Sequence, residues 1–428
     1  MSTVRLVSHE GLDGLDEAFT RSIEDAVFTI AASLVSEKLK REGVKLSKSD
    51  IATLAQELRS GGHGPFGFQR KHSSESHVVK IDITNEDMTK VEKAIESFSA
   101  KLPELMEKQT LLVASHTLKT LKKHWTRKYR IQEVEIGAFR KRLFHRWAEA
   151  FKPLQMILKM SREIGANVRA KTGTRSHSPN HHLIDVITRL HARSCQVTDE
   201  VIWLLRGGFS EGAFARWRTL HEIVITSALI LKGGEPLARK FVDHQFVETL
   251  RGAQEYQRVH ASLGYAPISD AEMKEIGDRA NKVISKYGKP FGNPNGWAAD
   301  LLKSERPNFS QMEKTASSEK YRSHYRWASQ GVHSGPKGIF KPQPHIGDAL
   351  VLMTGPSNGG LADPGHATAI SLGRITANVV TLQPSLDLNV AMRMIVTLID
   401  EAGQQFLRCH EELMKEEADE AGRLDPAG

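Results

Sequence analysis

Arg326 and His333 have the residue types and the spacing to cleave RNA without a metal. They lie in the stretch YRWASQGVHSGPKGI, Tyr325–Ile339. On one helix a spacing of seven is two turns, so both side chains point the same way with about 10 Å of rise between their backbones. A histidine titrates near neutral pH and can move a proton to or from a 2′-hydroxyl or a leaving oxygen. An arginine fork can hold a phosphate and stabilise the charge that builds at phosphorus. Ser329 lies between the two and is counted with the same site, and Gly331 lets another chain come close. The same spacing also describes a helix with a basic last turn, which the helix dipole favours.

A second constellation is Arg218 and Glu222 in FARWRTLHE. They are four apart and share a helix face. Phe214, Trp217, Leu220, Ile223 and Val224 crowd around them. If that face is buried, both charges need partners. The pair is either a structural brace or support for a site. His221 sits about a hundred degrees round the helix from Glu222 and need not share its face. Further on, His177, His181 and His182 stand in the polar stretch KTGTRSHSPNHH. No carboxylate or thiol lies near them at ligand spacing, so no metal and no cofactor is expected, and a metal-dependent hydrolase is the least supported reading.

The net charge is +8, and it is unevenly spread. Lys122, Lys123, Arg127, Lys128 and Arg130 cluster in HTLKTLKKHWTRKYR, followed by FRKRLFHRWAEAFK. Trp125, Tyr129, Phe144 and Trp147 are interleaved with these cations. Cations meet phosphates and rings meet bases, so the segment suits nucleic acid. The alternative is a long amphipathic helix whose aromatics face a core.

The elements that must position these residues are nearly all helices. Apolar residues recur at helical spacing over 13–42, and Ser47 or Ser49 can cap a second helix that stops at Gly61–Gly62. FGFQR and HVVKIDIT alternate as strands do and predict a small β-hairpin ending at Thr84. Helix resumes from 85. Beyond the linker, Gly207–Gly208 and Gly233–Gly234 punctuate helices, with Ser210 as a cap and Pro236 in a first turn. Ser269 begins a capping box, and Asp363 caps a helix whose first turn holds Pro364. The expected organisation is a helical region with a hairpin over 1–84, a basic helical segment and linker over 85–180, and a bundle over 181–428.

The fold class is therefore all-α, a multi-helix bundle. At 39% hydrophobic residues the chain can bury a sizeable core, yet no apolar run reaches the length of a membrane span. Two distant cysteines, Cys195 and Cys409, fit a reducing compartment, and a cytoplasmic protein is expected.

RWASQGVHSG resembles the Arg–His signature of the HEPN superfamily, and residues 140 to 380 resemble a large uncharacterised bacterial family. The wider resemblance rests on FRKRLFHRWAEAFKPLQMI, ITRLHARSCQVTDEVIWLLRGGFSEGAFARWRTLHEI, YRWASQGVHSGPKGI and MTGPSNGGLADPGHATAISLGRIT. The HEPN resemblance implies a homodimer of helical bundles that apposes two Arg–His motifs. It implies a metal-independent ribonuclease of toxin–antitoxin or phage-defence type, with RNA as substrate and an antitoxin or defence protein as partner. Arg326 and His333 would be its catalytic pair. The residue after the arginine, usually polar in active members, is Trp327 here. The alternative function is a non-catalytic helical module that binds nucleic acid or a partner protein.

Overall fold

The computed structural model describes residues 15–61, 79, 81–172, 179–333, 335–340, 345–346, 349–350 and 352–424. Two compact units are found, residues 1–135 and 136–428, and the division falls inside the segment expected at 85–180.

In the first unit, α1 (Leu15–Arg41) packs on α2 (Lys48–Arg59) through Ala32, Leu54 and Ala55, with Phe28, Val35 and Ile51 beside them. Ser47 is the N-cap of α2. Its side chain accepts from the Asp50 amide, and the Asp50 carboxylate accepts from the Ser47 amide in return. Helix α3 spans Asn85–Thr172. Lys38 of α1 pairs with Asp87 in the first turn of α3, and this pairing holds the Asp87 carboxyl well below the usual carboxylate range. Most of the predicted hairpin lies outside the described residues. The part that is described, Val79 and Ile81–Thr84, carries no strand pairing.

The second unit is a helical bundle around one core. It contains α4 (His181–Arg206), α5 (Ser210–Asp243), α6 (Gln245–Val259) and α7 (Asp270–Tyr287). Short helices follow: α8 (Ala299–Leu302), α9 (Phe309–Thr315), α10 (Arg322–Gln330) and α11 (Pro336–Ile339). Two-residue strands β1 (His345–Ile346) and β2 (Ala349–Leu350) pair antiparallel, and α12 (Ala362–Val380) and α13 (Leu386–Leu424) close the bundle. The core joins Trp147, Phe151 and Leu154 of α3 to Ile187 and Val201 of α4, Trp217 and Leu220 of α5, Leu372 of α12 and Phe406 of α13. Trp217 satisfies its indole N–H on the Ala367 carbonyl at 3.0 Å and on the Ser371 hydroxyl at 3.0 Å. No helix among the described residues is long and apolar enough to cross a membrane.

Several expected boundaries shift. Ser210 is the first residue of α5, and Phe209 occupies the cap position without a side-chain bond. Asp363 likewise falls inside the first turn of α12, which begins one residue earlier. Ser210 therefore stands one position past the cap, and Asp363 two positions past it, so neither side chain is placed to cap.

Candidate functional site

Helix α10 presents two unlike faces. Ala328 is buried, Tyr325 and Ser329 are partly buried beside α5, and Arg326 and Trp327 are exposed. Ser329 donates to the Tyr325 carbonyl at 2.7 Å, which ties its hydroxyl to its own helix. The helix ends at Gln330, three residues short of His333. The chain makes one more turn, with the His333 amide donating to the Ser329 carbonyl at 3.1 Å. The two-turn, same-side argument therefore holds only as far as Gln330. Arg326 and His333 are both exposed, and neither makes a side-chain hydrogen bond or ion pair among the described residues.

The inner face is fully engaged. The Tyr325 hydroxyl accepts from Arg218 Nη2 at 3.0 Å and donates to Glu222 Oε1 at 2.7 Å. Arg218 also lies over the Tyr325 ring, 4.7 Å from its centre, while its direct approach to Glu222 is 3.9 Å. The pair expected from α5 is thus bridged by a phenol from α10. Burial pushes the Tyr325 phenol up, with the Glu222 hydrogen bond adding and Arg218 opposing. It stays protonated at neutral pH and remains a donor to Glu222. Arg218 Nε is buried with no hydrogen-bond partner among the described residues.

One turn deeper, His221 Nε2 lies 3.1 Å from Glu313 Oε1, and both side chains are buried. Arg322 at the start of α10 donates to the other oxygen of Glu313. Burial lowers the His221 pKa, with Glu313 opposing that shift. The His221 ring packs against Trp217 and Tyr325, at 5.2 and 5.6 Å between centroids. Arg374 of α12 donates to Ser318 Oγ at 2.6 Å and stands over the Tyr321 ring, just before α10. A buried carboxylate shared by a histidine and an arginine costs desolvation that good geometry offsets, and it fixes register between α5, α9 and α10. Spacing along the chain gave no signal for Glu313 or Tyr325. They reach His221 and Arg218 only through the fold.

A hollow of about 190 Å³ lies between α10 and the start of α5, lined by Phe214, Trp327, Ala328 and Gly331. It falls below the roughly 300–1,000 Å³ of ordinary ligand pockets. A large substrate must therefore lie across the surface of α10 rather than sink into it.

A larger open cavity of about 790 Å³ lies between the end of α3, α4 and α5. Two of its arginines are paired, Arg162 with Asp199 at 2.8 Å and Arg216 with Glu200, while Arg169 reaches only the Thr188 hydroxyl at 3.5 Å. His191 lines it, is buried, and meets Thr376 Oγ1 at 3.2 Å. Burial lowers its pKa to about 4. Cys195 beside it is pushed up to about 11 by burial, so it is a packed thiol and no nucleophile.

In the first unit, Lys122, Lys123, Arg127 and Arg130 are exposed on α3, and Lys128 is partly covered. Trp125 and Tyr129 are 43% and 49% exposed, so the expectation that the aromatics of this segment face a core fails for them. It holds for Trp147, which is fully buried in the second unit. His177 lies outside the described residues. His181 and His182 do have a carboxylate near them, Glu235, contrary to the sequence expectation.

Residues 184–345 match the model of a family described as a family of unknown function, DUF5677. The matched stretch holds Arg218, Glu222, Tyr325, Arg326 and His333. It is narrower than the 140–380 expected, leaving the FRKRLFHRWAEAFKPLQMI block and α12 outside. No curated protein and no solved structure matches the chain.

Proposed function

We propose that the chain is a metal-independent endoribonuclease of HEPN type, acting at the outer face of α10. One observation supports this reading: Arg326 on α10, and His333 in the turn just past its end, are exposed and without side-chain partners among the described residues, while the inner face of α10 is held by Arg218, Tyr325, Glu222, Glu313 and Arg322. Free polar groups on a rigid support are what a catalytic constellation requires. In the proposed step the 2′-hydroxyl attacks the adjacent phosphorus and the 5′-oxygen leaves, giving a 2′,3′-cyclic phosphate and a free 5′-hydroxyl. His333 moves one of the two protons, and Arg326 holds the phosphate oxygens as charge builds. The second proton needs a second group, which a homodimer would supply as another copy of the same histidine. A toxin or phage-defence effector held by an antitoxin or defence protein is the setting this activity suits.

The test is induction of wild type and His333→Ala in a bacterial host at matched soluble levels. The proposal expects growth arrest and RNA fragments with 2′,3′-cyclic phosphate ends from wild type alone. Equal growth of the two strains with intact RNA would sink it. The second reading is a helical module that binds RNA without cutting it. The exposed Trp125 and Tyr129 among Lys122, Lys123, Arg127 and Arg130 favour it.

A further inference from the structure

The start of α4 and the break in α5 bring three metal-ligating side chains together. Gly234 adopts φ 63° and ψ −156°, a conformation open to glycine, and it interrupts α5. Glu235 follows immediately, and Pro236 restarts the helix. The Glu235 carboxylate then meets the first two residues of α4. His182 Nδ1 lies 2.6 Å from Glu235 Oε1, and His181 Nδ1 lies 3.9 Å from the same oxygen. The two imidazole rings sit 3.8 Å apart between centroids. One ligand atom from each residue falls within 4.8 Å of the others, and all three residues are partly buried.

Glu235 has a plain structural duty as well. Its Oε2 accepts from the Leu183 amide at 2.8 Å and its Oε1 from the His182 amide at 3.3 Å, which caps the start of α4. Capping accounts for the carboxylate, but it asks nothing of the side chains at 181 and 182. Two imidazoles that turn the same nitrogen toward one oxygen need a further reason. At 3.9 Å, His181 is beyond hydrogen-bond range of that oxygen.

We propose that His181, His182 and Glu235 bind one divalent transition-metal ion of the zinc class, with water completing the shell. Two imidazoles and one carboxylate suit Zn²⁺, Co²⁺ or Ni²⁺ better than the hard, oxygen-seeking cations. Bonds of about 2.0–2.1 Å place tetrahedral ligand atoms roughly 3.3–3.5 Å apart. The His182–Glu235 separation must open, and the His181–Glu235 separation must close, each by less than about 1 Å, which side-chain rotation alone provides. None of the three ligands bonds to a residue of α10 among the described residues, so the ion pins α4 to α5 and takes no part in chemistry at α10.

The experiment uses the full chain, stripped with chelator and titrated with Zn²⁺ by calorimetry and with Co²⁺ by visible absorption. One saturable equivalent is expected, with a Co²⁺ spectrum of tetrahedral type and a higher Tm in zinc. His181→Ala and His182→Ala should each weaken zinc binding at least tenfold. Glu235→Gln keeps an oxygen for the cap and should weaken binding by a similar factor. All three should retain the helical circular dichroism of wild type. Absence of saturable zinc binding, or binding that all three variants retain in full, would overturn the site and leave Glu235 as a cap only. RNA cleavage by these variants should persist, so the two proposals fail separately.

Discussion

The two faces of α10 carry similar residue types in opposite circumstances. On the inner face, Arg322 and Tyr325 are held by Glu313, Arg218 and Glu222. Arg326 on the outer face, and His333 just past the helix end, are exposed and free of side-chain partners among the described residues. A buried charge is stable only when paired, so Glu313 draws in Arg322, and the inner residues are held by the partners they meet. An exposed charge needs no partner, so the fold does not fix the outer residues, which the proposed function assigns to RNA. Arginine appears on both faces, as Arg322 and as Arg326. Environment, not residue type, separates the paired side chains from the exposed ones.

The largest effect that could break this comparison is on the inner face. Glu313→Ala should destabilise the bundle by about 3–5 kcal/mol, because it strands His221 in the core and unties Arg322. Urea unfolding followed by circular dichroism measures it, and a change under about 1 kcal/mol would remove the brace. Next comes acid. His191 is buried, with a pKa lowered to about 4 from an ordinary 6.5. Between those values the unfolded chain binds the proton more readily than the folded one. The contribution is complete above about pH 6.5 and is lost as pH falls toward 4, amounting to about 3 kcal/mol at order of magnitude. His221 is shifted in the same direction and adds to the slope. Stability measured from pH 7 to 4 should fall along this course, and His191→Gln should flatten it.

A smaller effect sharpens the link between the faces. Tyr325→Phe removes the hydroxyl shared by Arg218 and Glu222 and should cost about 1–2 kcal/mol. It should slow RNA cleavage less than His333→Ala does, since it disturbs support rather than chemistry. A loss as large as that of His333→Ala would move Tyr325 into the reacting group. The smallest effect lies in the first unit. Lys122→Ala with Lys123→Ala should leave stability within about 0.5 kcal/mol. It should reduce the salt slope of single-stranded RNA binding by about 1.4, at about 0.7 per lost contact. An unchanged slope would show that this exposed strip does not hold RNA.

Local grammar in the sequence carried much of the fold. Ser47 caps α2, Ser269 accepts from the Glu272 amide at the start of α7, and the Gly233–Gly234 break stands where expected. The pairing of β1 and β2 was not legible, since two residues per strand are too few to display alternation. Of the candidate site, spacing along the chain picked out the exposed pair, and Arg218 with Glu222. Arg326 and His333 sit seven apart on one stretch, whereas His221 meets Glu313 and Arg218 meets Tyr325 across α5, α9 and α10. Glu235 escaped notice beside His181 and His182 for the same reason. A contact made by folding leaves no spacing to read. Trp125 and Trp147 stand on one helix among similar neighbours, yet only one is buried, because helical periodicity marks a face without saying what covers it.

The central claim is that the outer face of α10 cuts RNA while the inner face only holds it. Its most direct test is cleavage by the purified protein in chelator, wild type against His333→Ala, with Tm measured alongside. The account predicts 2′,3′-cyclic phosphate ends from wild type, a loss of about 10²–10⁴-fold in the variant, and the same Tm for both. Cleavage that His333→Ala retains, or RNA left whole by wild type, would contradict it.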